Sequence, residues 1–128
     1  MKVSVPISVG ELFDKISILE IKKKKIIDKQ KLKDIKYELF QLKEIVKRKK
    51  LNNKHIREQK LKLLNINKRL WTIEDKKRSY ENKKEFDQNF INLARKVYLL
   101  NDKRALIKNK INIYSGSKVK EVKSYEKY

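Results

Sequence analysis

The chain has 128 residues and a formal net charge of +20, because 36 Lys and Arg residues outnumber 16 Asp and Glu residues. The absence of cysteine and the single histidine exclude disulfides, thiolate metal sites and multi-histidine metal sites, and we expect no cofactor. Two glycines and one proline are too few turn residues for a sheet protein, whereas 39% hydrophobic and 41% charged residues are typical of long amphipathic helices. We therefore expect one all-α domain over residues 1–128.

The first residues, 1–7, are expected to form a short extended arm, since Val3 and Val5 alternate with polar residues before a proline. A first helix is predicted to begin at Ser8, because Ser8 and Glu11 have the spacing of a capping box. The main apolar stripe of this helix contains Leu12, Phe13, Ile16, Leu19, Ile26 and Ile27.

Two isoleucines of the first helix, Ile18 and Ile21, lie nearly opposite its main stripe. A helix that is apolar on two faces is usually central in a bundle or lies at a subunit interface. Leaving both side chains in water would expose apolar area, so we predict a symmetric homodimer through this second face. Val3 and Val5 of the arm are the other residues expected to take part in self-association.

Three further helices are predicted from apolar residues that recur at alternating spacings of three and four residues. Asp28 is the predicted N-cap of the second helix, Asp87 is that of the fourth, and Gly116 is the predicted C-terminal cap of the fourth. The second stripe contains Leu32, Ile35, Leu39, Leu42 and Val46, and the third contains Ile56, Leu63, Ile66, Leu70, Ile73 and Tyr80.

The connections between these helices are short, at residues 51–53 and 81–85. Short connections favour antiparallel packing of neighbouring helices. We therefore predict an antiparallel four-helix bundle with coiled-coil-like helical hairpins over residues 8–115, followed by a tail at 116–128.

An arginine, Arg104, lies inside the apolar stripe of the fourth helix. The other members of that stripe are Phe90, Leu93, Val97, Leu100, Ile107, Ile111 and Tyr114. Because a buried arginine is costly unless it is paired, Arg104 is expected to contact a carboxylate, first Glu20 and second Glu74. We favour a structural ion pair that fixes helix register. The functional alternative is an anion-binding or enzymatic site that includes Arg104 and Asn101, although no catalytic motif accompanies them.

The net charge of +20 also has two interpretations. It can indicate a polyanionic partner, either nucleic acid or an anionic membrane surface. It can equally reflect an AT-rich genome, since Lys, Asn and Ile are abundant while Gly, Pro and Ala are scarce. No apolar run is long enough to span a membrane, and the N-terminus lacks the apolar core of a signal peptide, so we expect a cytoplasmic protein.

Several stretches resemble a family of short, all-helical bacterial proteins that is filed as a domain of unknown function. They are VPISVGELFDKISILEIK, LWTIED, FINLARKVYLLNDKRALIKNKIN and EVKSY, and the resemblance extends from Val5 to Tyr125. It implies no activity and no catalytic residues. It directs attention to the arm, the first helix cap, LWTIED, NDKRA and the tail, and away from the lysine clusters at 22–25, 47–50 and 83–84.

We predict from these observations a non-enzymatic structural or protein-interaction bundle that self-associates, with a dimer as the favoured form. One alternative is sequence-independent binding of nucleic acid through the lysine-rich surface. A second alternative is an anion-binding or enzymatic site around Arg104.

Overall fold

The computed structural model describes residues 1–124 and contains four α-helices: α1 (Val9–Lys25), α2 (Lys29–Arg48), α3 (Lys54–Lys83) and α4 (Gln88–Ser115). No strand occurs in these residues, so the predicted all-α four-helix bundle is confirmed. Tyr125, where the family resemblance ends, lies outside the described residues. None of the four helices combines the length and apolarity that a membrane span requires.

All four helices begin at a side-chain cap that can be read from the local sequence. Ser8, Asp28, Asn53 and Asp87 each accept a hydrogen bond from the backbone N–H three residues later, at distances of 2.9–3.1 Å. These bonds satisfy N–H groups that would otherwise lack a partner at the helix start. The last helix ends at Gly116, whose φ of 68° places it in the left-handed region where glycine is favoured.

The helix α1 is the only one of the four that packs against each of the others. It runs antiparallel to α4, since Gly10 contacts Asn112 and Asp14 contacts Arg104. The helices α3 and α4 form a long hairpin that is closed at both ends by ring contacts. His55 stacks on Tyr114 with ring centroids 4.8 Å apart, and the ring of Tyr80 meets the edge of the Phe90 ring. The helix α2 packs against α1.

Both faces of α1 are covered by the same chain. One buried face carries Leu12, Phe13, Ile16 and Leu19, as predicted. The other carries Gly10, Asp14, Ser17 and Ile21, which follow one another at spacings of four, three and four residues and are all buried. The second face is therefore the one that packs against α3 and α4.

The predicted dimer interface on α1 must consequently be corrected. Ile21 is only 3% exposed, because α1 is central in the bundle and its second face is already used within the chain. Ile18 is half-buried, whereas Val3 and Val5 are exposed. Ile27 was also expected in the main stripe, but it follows the end of α1 and is exposed.

The helices α1 and α4 approach each other most closely at Gly10. Its backbone N–H donates to the side-chain Oδ1 of Asn112 over 2.7 Å. A Cβ atom at this position would lie 2.3 Å from the backbone oxygen of Lys108, a distance that real Cβ atoms essentially never show. Glycine is therefore required here for close approach of two helix backbones.

The far end of the α3–α4 hairpin is much less buried than its base. No residue from 74 to 99 is buried, although half-buried side chains such as Tyr80, Phe90 and Leu93 face the seam between the two helices. We call this segment, residues 74–99, the distal hairpin. The helix α3 also continues to Lys83, three residues into the predicted 81–85 loop.

Candidate functional site

Arg104 of α4 forms a bidentate ion pair with Asp14 of α1. Its Nε donates to Oδ1 of Asp14 over 2.9 Å, and its Nη2 donates to Oδ2. The Asp14 side chain is 1% exposed and the Arg104 side chain is 27% exposed. The pair therefore joins a buried carboxylate to a guanidinium that still reaches the surface, in the geometry that gives Arg–carboxylate pairs their strength and specificity.

The buried carboxylate of Asp14 is held from a second direction by α3. The side-chain nitrogen of Asn67 donates to Oδ1 of Asp14 over 2.9 Å and to the hydroxyl oxygen of Ser17 over 2.6 Å. The Ser17 hydroxyl in turn donates to the backbone oxygen of Asp14 over 2.8 Å. Three helices thus meet at one carboxylate, which fixes its position.

Lys108 lies one helical turn from Arg104 and is surrounded by carboxylates. Its side chain is 8% exposed, and its Nζ lies 2.7 Å from Glu11, 2.9 Å from Glu121 and 3.8 Å from Asp14. Glu11 follows the cap of α1 and Glu121 belongs to the tail. A buried ammonium is costly unless it is paired, and here it has partners from two separate segments.

The surrounding carboxylates favour the charged forms of both basic groups. Burial lowers the pKa of the Arg104 guanidinium, but the hydrogen bond and the charge of Asp14 outweigh burial, so the pKa is raised. Burial likewise lowers the pKa of Lys108, but the hydrogen bonds of Glu11 and Glu121 and the charge of Asp14 raise it by more. Both groups are therefore cations throughout the physiological pH range.

A cavity of about 660 Å³ opens beside this cluster. We call it the charged cavity, and its lining residues are Glu11, Asp14, Val97, Tyr98, Asn101, Asp102, Arg104, Ala105, Lys108, Glu121 and Lys123. Asn101 accepts a hydrogen bond from Nη1 of Arg104 over 3.3 Å, so the predicted neighbour of Arg104 is part of the site.

The tail forms one wall of the charged cavity. The hydroxyl of Ser117 accepts a hydrogen bond from the backbone N–H of Val9 over 3.2 Å. Further along, Glu121 contacts Lys108, and Nζ of Lys123 lies 3.6 Å from a carboxylate oxygen of Asp102. Side chains of the tail thus contact both α1 and α4. The tail is one of the stretches to which the family resemblance directs attention.

The charges that line the cavity nearly compensate one another. Among the described residues 1–124, four carboxylates face three basic groups, so this part of the lining has a formal charge of −1 within a chain of +20. The lining around Arg104 therefore does not have the excess positive charge expected of an anion-binding site. Its basic groups already have carboxylate partners in the same wall.

The sequence prediction placed the wrong carboxylates opposite Arg104. Glu20, its first predicted partner, instead lies 3.5 Å from Lys43 and 3.7 Å from Lys60. Glu74, the second, lies 3.7 Å from Lys77 on its own helix. The expectation that Arg104 meets a carboxylate holds, but the partner is Asp14.

The register of α1 explains why Asp14 was missed. Asp14 precedes Glu20 by six residues, or about 9 Å of helix, which exceeds the accuracy of counting levels through turns. One signal could have revealed it. Gly10, Asp14, Ser17 and Ile21 follow one another at spacings of four, three and four residues, so they lie on one face of a helix. The second face of α1, which includes Ile21, therefore also includes a carboxylate.

A second concave region lies between α1, α2 and α3 and has the opposite character. Two cavities of about 370 and 340 Å³ share Lys43 in their linings. We call this region the lysine groove, and its basic residues are Lys23, Lys24, Lys43, Lys47, Lys50, Lys60 and Lys68. Glu20 is the one carboxylate among the lining residues of the two cavities.

Three of the stretches that carry the family resemblance meet at the charged cavity. Glu11 and Asp14 come from the first, residues 101–105 form NDKRA, and Glu121 and Lys123 come from EVKSY. The LWTIED stretch contributes Leu70 and Ile73 to the hydrophobic core instead. The lysine groove, in contrast, draws on the clusters at 22–25 and 47–50, which lie outside the resemblance.

Comparison with known proteins supports the resemblance. A family model described as "Family of unknown function (DUF6165)" matches residues 1–128. No curated protein and no solved structure matches the chain.

Proposed function

We propose that this chain, which belongs to the family of unknown function DUF6165, is a non-enzymatic module that binds a small polar molecule of low net charge in the charged cavity. The observation that carries the proposal is the charge-compensated lining of a cavity of about 660 Å³. That volume lies within the range of ordinary small-molecule sites.

The lining disfavours ligands with several charges of one sign. To pair fully with Arg104 or Lys108, a multivalent anion would have to displace Asp14, or Glu11 and Glu121. Those carboxylates belong to the protein and compete for the same donors. A zwitterion or a neutral polyhydroxyl compound requires no such exchange, because the wall offers both donors and acceptors.

Arg104 retains the capacity to orient such a ligand. A guanidinium has five N–H donors, and the hydrogen bonds to Asp14 and Asn101 use three of them. Two donors remain, and the side chain is 27% exposed. Val97 and Ala105 supply an apolar part of the wall, as in most small-molecule sites.

Thermal unfolding with a panel of matched small molecules tests this proposal. Zwitterionic amino acids and neutral polyols are compared with phosphate and citrate at constant ionic strength. A member of the first two groups is expected to raise the Tm, because a ligand that binds only the folded state stabilises it. Asn101→Ala should abolish that rise, and Lys43→Ala in the lysine groove should preserve it. Stabilisation by citrate alone that Asn101→Ala removes would contradict the proposed ligand class.

The lysine groove supports a second candidate function, the sequence-independent binding of a nucleic acid. Six lysines from three helices, together with Lys50 after α2, line it with a single carboxylate among the described residues. Lysines that contact phosphates release counterions, so affinity should fall steeply with salt. Replacing Lys43, Lys47 and Lys50 with Ala should weaken DNA binding in a mobility-shift assay and reduce its salt dependence. The matched triple Ala variant of Lys29, Lys31 and Lys33, which are exposed on α2 outside the groove, should have a smaller effect.

A further inference from the structure

We infer that the chain self-associates by docking its distal hairpin, residues 74–99, against the same segment of a second copy. This inference does not rest on the ligand proposed for the charged cavity, although Val97 and Tyr98 at the base of the hairpin also line that cavity. It also moves self-association away from α1, whose second face is buried within the chain.

The distal hairpin exposes several large apolar side chains to solvent. The exposed side chains include Phe86, Ile91, Tyr98 and Leu99. In the seam between α3 and α4, Tyr80 and Phe90 are half-buried, and the centroid of the Phe90 ring lies 6.4 Å from that of Tyr80 and 5.3 Å from that of the exposed Phe86. An isolated helical pair gains stability when a further helix layer covers its apolar side chains.

Charge identifies a second copy as the occupant. The distal hairpin contains seven Lys or Arg residues and five Asp or Glu residues, a net charge of +2, so the rest of the chain carries +18 of the total of +20. Two copies therefore meet with little net repulsion at this end. The exposed apolar residues Leu106 and Ile113 of α4, in contrast, have Lys103 and Lys110 as near neighbours along the chain.

The distribution of charge along the hairpin also fits an antiparallel two-fold arrangement. The tip, residues 81–87, has three carboxylates and two lysines, a net charge of −1. The remainder, 74–80 together with 88–99, has five basic and two acidic residues, a net charge of +3. A two-fold axis across the middle of the hairpin places the tip of one copy against the more basic part of the other, in an isologous interface.

Sedimentation of the full chain over a range of concentrations tests this inference. The wild type should form a dimer whose population rises with concentration, and added salt should not dissociate it, because salt screens the repulsion between the two copies. The double variant Ile91→Glu, Leu99→Glu should sediment as a folded monomer. Its matched control, Leu106→Glu with Ile113→Glu, changes exposed apolar residues of the same helix outside the distal hairpin and should remain dimeric.

A monomeric wild type at every concentration overturns the inference, and so does a dimer that the Ile91 and Leu99 variant retains. Cross-linking resolves the case in which that variant does not fold. The chain has no cysteine, so Ile91→Cys and Leu106→Cys each provide one thiol for a short bismaleimide. Covalent dimers should form efficiently from Ile91→Cys and poorly from Leu106→Cys, and the reverse preference would contradict the proposed interface.

Discussion

Asp14 lines the charged cavity and Glu20 lines the lysine groove. Both carboxylates belong to α1, and their surroundings are very different. Asp14 is 1% exposed and is held by Arg104 and Asn67 through three hydrogen bonds. Glu20 is 23% exposed and has Lys43 and Lys60 at 3.5 and 3.7 Å. Asp14 is therefore part of a buried hydrogen-bonded cluster with fixed geometry, whereas Glu20 is a single carboxylate among surface lysines.

This difference shows that net charge is a poor guide to the sites of a strongly basic protein. Asp14 is held by side chains of α3 and α4, and the described lining of the cavity beside it is nearly neutral. The excess of lysine lies elsewhere on the chain. Exposed charges contribute little to stability, whereas a buried and hydrogen-bonded pair is costly to break. Substitutions on the two sides of α1 should therefore have effects of very different size.

Asp14→Ala should produce the largest loss. It removes the acceptor of Arg104 and Asn67, so partly buried donors lose their partner, and it removes one of the carboxylates near Lys108. Breaking a buried pair on one side costs about 3–5 kcal/mol, and the exposed edge of Arg104 places the expected loss near ~3 kcal/mol. Urea denaturation measures it. A loss below ~1 kcal/mol would show that the Asp14 cluster contributes no more to stability than a surface ion pair of the lysine groove.

Gly10→Ala should cost about 2 kcal/mol, although alanine is the better helix former. The added Cβ would collide with the backbone oxygen of Lys108, and a backbone atom cannot rotate away. Lys15→Ala, an exposed change in the same helix, is the matched control and should be nearly neutral. Equal midpoints for Gly10→Ala and the wild type would mean that α1 and α4 are not in close contact.

Lys108→Met should cost about 2 kcal/mol at neutral pH, and the loss should depend on pH. The pKa of Lys108 is raised above its ordinary value of 10.5. Its contribution to folding is therefore complete below that value and disappears as pH rises through the folded-state pKa. The difference in unfolding free energy between wild type and variant should be constant from about pH 7 to 10 and shrink above it. A difference that already shrinks near neutral pH would contradict the raised pKa.

Glu20→Gln should have the smallest effect, about 0.5 kcal/mol or less at low salt. Its partners are long lysines at the surface, and screening should remove the remaining effect at high salt. Chemical denaturation at two salt concentrations provides the comparison. A loss as large as that of Asp14→Ala would erase the distinction between the two regions.

The helices and their starting points could be predicted because their signals are local. Ser8, Asp28 and Asp87 are caps whose partners lie three residues away, and Gly116 closes α4 for an equally local reason. The site could be predicted only in part. The stripe of α4 located Arg104 correctly, but its partner depends on how α1 crosses α4, which no periodicity within one helix determines.

The tail contribution could not be predicted for the same reason. Glu121 and Lys123 reach Lys108 and Asp102 through side chains of an irregular segment, and an irregular segment has no period to read. The close approach at Gly10 also depends on a second helix, although a glycine inside a predicted helix is a recognisable sign of tight packing.

A double-mutant cycle on Arg104→Leu and Asp14→Leu tests most directly whether the charged cavity is held together by a coupled buried pair. Each single change should be strongly destabilising, and the double variant should recover much of the loss, because apolar residues can replace a buried pair at little net cost. We expect a coupling free energy of at least ~2 kcal/mol, while the same cycle with Glu20 in place of Asp14 should be additive. Additive effects of Arg104→Leu and Asp14→Leu, within about 0.5 kcal/mol, would contradict the account.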